Sequence, residues 1–85
     1  MPRYYFNMVD GRTVLDDEGV ELRDLSAARA EALRTSGEML RDGTQGPLWD
    51  GHPWRMWVTD QPGGAGTTLL TLRFSATAGP EKLAG

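Results

Sequence analysis

The 85-residue chain carries nine basic and twelve acidic side chains, a net charge of -3, one histidine and no cysteine. Without cysteine there is no disulfide framework and no thiolate metal site, and the overall charge opposes polyanions, so nucleic acid is disfavoured as a partner. A single domain of this size buries only about 60 to 65 per cent of its unfolded surface, which makes association a natural source of extra stability.

Residues 4–9 combine aromatic and β-prone side chains and run into Asp10-Gly11, a dipeptide suited to a tight hairpin turn, so a first strand and hairpin are predicted there. A short return strand follows over residues 13–15, closed by Asp16-Asp17-Glu18-Gly19, where clustered carboxylates and glycine favour a turn. Residues 20–22 either extend that strand or lead into the helix.

Residues 24–42 are predicted to form one amphipathic helix. Asp24 is the first choice of N-cap and Ser26 the second, because a side-chain oxygen there accepts from the unpaired amides of the first turn. At about 100° per residue, Leu25, Ala28, Ala32, Leu33, Ser36, Met39 and Leu40 share one stripe, opposite Glu31, Arg34, Glu38 and Arg41. The small residues at the centre allow close approach to a sheet, Arg34 and Glu38 are spaced for an i,i+4 pair, and Gly43 is placed to end the helix. Gly37 inside the helix has no evident reason unless its backbone is closely approached or bends.

Residues 43–53 read as a loop in which Trp49 is expected to plug a core edge. A third strand over 54–59, an irregular Gln61-Pro-Gly-Gly-Ala-Gly66 connection and a fourth strand over 67–76 complete the pattern. The expected architecture is α+β: a four-stranded antiparallel sheet in ββαββ sequence with one helix on one face and strand order 2-1-3-4. Residues 1–76 form the domain and 77–85 a tail. No run of about 18 apolar residues is present, and residues 1–6 are too short an apolar stretch for a signal peptide, so a soluble cytoplasmic protein without a membrane span is expected.

Alternation assigns Tyr4, Phe6, Met8, Trp54, Met56, Val58, Leu70, Leu72 and Phe74 to the helix side. The other parity places Arg3, Tyr5, Asn7, Val9, Arg55, Trp57, Thr59, Leu69, Thr71, Arg73 and Ser75 on a face that no predicted element covers. Its aromatics suit desolvated anchors and its arginines forked donors, so Arg3, Tyr5, Arg55, Trp57 and Arg73 are the candidate binding residues.

Catalysis finds little support, and no catalytic residue, metal ligand or cofactor is assigned. His52 lies in a Gly-Pro loop and reads as solvated, and none of Ser26, Ser36 or Ser75 sits in a nucleophile-elbow context. The carboxylates Asp16, Asp17, Glu18, Glu21 and Asp24 lack calcium-loop spacing, and the Gly63-Gly64-Ala65-Gly66 run joins two strands and opens no helix, unlike a phosphate loop.

The chain resembles a family of small alphaproteobacterial proteins defined only as a domain of unknown function. The resemblance rests on Met1-Pro2-Arg3-Tyr4-Tyr5-Phe6 leading to Asp10-Gly11, on Asp17-Glu18-Gly19-Val20-Glu21-Leu22 with Asp24-Leu25, and on Ala28-Arg29-Ala30-Glu31-Ala32, with weaker echoes in Val58-Thr59-Asp60 and Leu70-Thr71-Leu72-Arg73-Phe74. It implies no activity. A fainter similarity is to HicB-type antitoxins, which place a short sheet beside one helix and neutralise a small ribonuclease. The expected function is a non-enzymatic interaction module, a homodimer or a partner of another protein, acting through the open sheet face or a strand edge. The alternatives are an antitoxin-like inhibitor and a sheet face that binds a ligand or single-stranded nucleic acid.

Overall fold

A computed structural model describes residues 1–42, 49 and 51–77. Among the described residues, five strands and one long helix follow in the order β1 (Arg3–Val9), β2 (Thr13–Val14), β3 (Val20–Glu21), α1 (Leu25–Asp42), β4 (Trp54–Thr59) and β5 (Thr68–Phe74), with a short 3-10 turn at Pro62–Gly64 before β5. Gly43, Leu48 and the tail from residue 78 lie outside the described residues.

The sheet is antiparallel in the order β2-β1-β4-β5, the crossover expected from placing the helix between the two hairpins. Gly11 takes φ 103° in the β1–β2 turn, where the Asp10 amide donates to the Arg12 carbonyl at 3.1 Å. Five strands replace the four expected because the return segment is split. β2 pairs the C-terminal end of β1 through Met8 and Val9, whereas β3 pairs its N-terminal end through Arg3 and Tyr4. Adding the Leu22 amide to the Pro2 carbonyl at 3.0 Å extends the second pairing.

Directly opposed residues share a face, so the rows Phe6–Val58–Leu70, Met8–Met56–Leu72 and Trp54–Phe74 lie together on the helix side. Tyr4, Trp54, Met56 and Val58 are buried against Ala28 and Ala32 of α1, with Phe6, Met8, Leu22, Met39, Leu40, Leu70, Leu72 and Phe74 packed around them. Trp54 and Phe74 form a tilted ring pair 5.6 Å apart at the end of the sheet. The Trp54 indole N–H is buried without an acceptor among the described residues.

The helix begins as its first residues dictate: the Asp24 carboxylate accepts from the Ala27 amide at 2.9 Å, and the Asp24 carbonyl accepts from the Ala28 amide at 3.1 Å. Ala28, Ala32 and Ser36 are fully buried, and the Ser36 hydroxyl reaches the Met56 sulfur at 3.6 Å, so the small-residue stripe does seat the helix on β4. On the wet side Arg34 bridges Glu31 at 2.6 Å and Glu38 at 3.1 Å.

Three expectations are corrected by packing. Leu25 and Leu33, placed in the buried stripe, are 37% and 56% exposed, because the contact seam is narrowed to the small residues and their neighbours. Trp49, expected to plug the core, is 53% exposed. Leu69, assigned to the open face, packs against the core, because a register shift opposite Val58 and Thr59 pairs Thr68 and Leu70 with β4 and leaves Leu69 between them.

Candidate functional site

The sheet face opposite the helix is not bare over its whole length. At the end formed by Tyr5, Asn7 and Thr59 it is covered by two turns, residues 15–19 and the 3-10 turn Pro62–Gly64. The turns are joined by a hydrogen bond from the Gly63 amide to the Asp16 carbonyl at 2.8 Å. The sequence contains their ingredients, since glycines at positive φ close both: Gly19 at 71°, Gly63 at 69° and Gly64 at 78°.

What fastens the turns down is polar. Asn7, fully buried on the central strand β1, donates from Nδ2 to the Trp57 carbonyl and the Thr59 hydroxyl, each at 3.2 Å, and accepts at Oδ1 from the Asp16 amide at 3.0 Å. The Thr59 hydroxyl in turn donates to the Gln61 carbonyl at 2.9 Å. Asp16 completes the network: its carboxylate accepts from the Phe6, Glu18 and Gly19 amides, each at 3.0 Å. The Phe6 amide falls between the stretches of β1 that β2 and β3 pair, so this carboxylate stands in for the missing strand contact.

Burial pushes the Asp16 carboxyl upward, but the bonds from Phe6, Gly19 and Glu18 outweigh it and hold the group below its ordinary value. The Arg34 hydrogen bond and charge likewise hold Glu31 low against a smaller effect of burial. Asp16 therefore works as an ionised acceptor of amide protons. Among the described residues no three of the His, Asp and Glu side chains gather to hold a metal ion, and His52 is exposed.

The five candidate binding residues divide into two groups. Arg3 donates to the Glu18 carbonyl at 2.8 Å and pairs with Glu21 at 3.7 Å, so it ties the turn to the sheet edge. Tyr5 lies under that turn; a Cβ added to Gly19 would stand 2.8 Å from its ring. Arg55 and Arg73 stay together at the other end of the face, and Trp57 lies between them and the covered end, where a Cβ added to Gly64 would stand 3.9 Å from its ring. The Arg55 guanidinium stacks over the Trp57 ring at 4.4 Å, and Arg55 faces Arg73 directly across the β4–β5 pairing. Val9 is the neighbour of Arg55 on β1, and Thr71 that of Trp57 on β5. Among the described residues neither Arg55 nor Arg73 forms an ion pair.

Sequence alternation assigns the correct parity to Asn7, Asp16's partner, but gives no sign that the turns fold back over it. The one available signal is a lone asparagine between aromatic and apolar neighbours in a strand, a polar group that is costly to bury unless fully bonded.

These features define a small two-layer α+β protein whose sheet carries an apolar cover on one side and a hydrogen-bonded cover on half of the other. The chain belongs to the family described as a domain of unknown function, DUF6894, whose model matches residues 3–75. No curated protein and no solved structure matches it. No helix among the described residues is long and apolar enough to cross a membrane.

Proposed function

We propose that this chain is a non-catalytic protein-interaction module that self-associates by pairing β5 of one copy with β5 of another. The observation that carries the reading is the contrast between the two edges of the sheet. Beside β1, the strands β2 and β3 are two residues each, and Asp16 occupies the gap between them. β5 is seven residues long, Thr-Leu-Leu-Thr-Leu-Arg-Phe, with no proline, and among the described residues nothing pairs its outer side. An edge of that length and composition is a template for another strand.

Amide direction favours the same geometry. The Phe6 amide points away from β4, and Phe6, Val58 and Leu70 lie in one row, so alternation turns the Leu70 amide toward β4 and the Thr71 amide outward. Antiparallel pairing centred on Thr71 sets Arg73 of one copy opposite Leu69 of the other, which keeps the arginines apart. Both helices then lie on one side of a continuous sheet.

Light scattering during size-exclusion chromatography tests the reading. The wild type is expected to dimerise, and Thr71→Lys, an exposed position that would set like charges face to face at the twofold axis, to be a folded monomer. A wild type that stays monomeric at millimolar concentration overturns self-association.

A further inference from the structure

We infer that the Arg55–Arg73 pair, with Trp57 beside it, is a recognition site for the carboxylates of an acidic, extended segment of another protein. The two arginines are directly opposed on adjacent strands, an arrangement that repels within the free molecule. No acidic side chain among the described residues neutralises them. Arg55 is half-buried and its guanidinium is already held on the Trp57 ring, so its forked donors are set in place before any ligand arrives. Arg73 is exposed beside it.

Charge and space select a protein carboxylate over a polyphosphate strand. The turns covering the other end of the same face carry Asp16 and Asp17, and a nucleic acid running along the sheet would meet them, whereas a segment with two carboxylates need span only the arginine end. A base would also need an open aromatic face. Tyr5 lies beneath Gly19, and the Trp57 ring already carries Arg55. A strand with acidic residues at alternate positions presents carboxylates about 6.6 Å apart on one side, a spacing that two neighbouring guanidiniums can reach together. The site uses side chains on the sheet face, whereas strand pairing uses the outward main chain of β5, so the two can be tested apart.

The probe is a blocked peptide of alternating glutamate and threonine, titrated into the full chain and followed by the indole N–H resonances. Trp57 is expected to shift while buried Trp54 does not, with an affinity that falls as salt rises. Arg55→Gln and Arg73→Gln should each weaken binding roughly threefold to fivefold, and the double variant about tenfold or more. The folding midpoint of Arg73→Gln should stay level or rise, since it relieves the repulsion, and that of Arg55→Gln should stay near the wild type, since the lost stack on Trp57 offsets the same relief. Absence of a Trp57 shift, or unchanged affinity in the double variant, overturns the inference. So does tighter, arginine-dependent binding of a single-stranded oligothymidine at the same salt, which would assign the site to phosphate.

Discussion

The two faces of this sheet are covered by different physics. On one side α1 presses Ala28, Ala32 and Ser36 against Trp54, Met56 and Val58, and the contact holds by excluding water from apolar surface. On the other, the turn 15–19 and the Pro62–Gly64 turn are held by Asn7, Asp16 and Thr59, through hydrogen bonds whose partners must all be present. The apolar cover depends on filled volume, and the seam of Ala28, Ala32, Ser36, Trp54, Met56 and Val58 holds no ionisable side chain. The polar cover is specific, and it depends on one carboxylate remaining ionised.

The largest expected effect lies on the apolar side. Met56→Ala leaves a cavity beneath Ser36 in the middle of the sheet and should lower unfolding stability by about 3 kcal/mol in urea titration. Asn7→Leu is the sharper counterpart, since it keeps the volume and adds apolar surface. If the second cover were held by packing, that change would be neutral. It is expected to cost about 2 kcal/mol, because in a water-poor site the Asp16 amide loses its acceptor and the Trp57 carbonyl and Thr59 hydroxyl lose a donor.

The difference also explains which parts of the molecule were legible in its sequence. The apolar layer follows from periodicity alone: alternation in Tyr4, Phe6, Met8, Trp54, Met56 and Val58, the small stripe of α1 and the Asp24 cap all settle where their residue types send them. The polar cover does not follow, because alternation says which way Asn7 points but nothing about which loop arrives above it. Asp16 reads as one of several turn carboxylates, and only the fold shows that it reaches the Phe6 amide ten residues back along the chain. The open face was therefore expected to be larger than it is, and of its five candidate residues Arg3 and Tyr5 are engaged by the turn while Arg55, Trp57 and Arg73 remain together.

Acid should separate the covers without mutation. The Asp16 carboxyl is held below its ordinary value in the folded protein, so its contribution is complete above about pH 4 and is lost as pH falls through the folded value. Glu31, held low by Arg34, adds to the same slope from the surface of α1. Asp16→Asn should cost about 1 kcal/mol at neutral pH, since the amide keeps one acceptor oxygen and loses the other, and should flatten the acid limb of the stability curve. A limb of unchanged steepness in the variant would mean that other carboxylates carry it.

The smallest effect tests the helical lid without disturbing either cover. Gly37 is exposed on α1, and a Cβ built there meets nothing within 4 Å, so neither a close approach nor a left-handed backbone explains the glycine. In the unfolded chain glycine has more freedom to lose than alanine, and in the helix it contributes no packing that alanine would lack. Gly37→Ala is expected to raise stability by about 0.5 to 1 kcal/mol, read as a higher urea midpoint at unchanged slope. Because the lid rests on β4 through the opposite side of the helix, the gain should appear equally in wild type and in Asp16→Asn at every pH. A gain that vanishes in Asp16→Asn would show that the two covers communicate through the sheet, and that the helix and the turns form one cooperative unit instead of two independent layers.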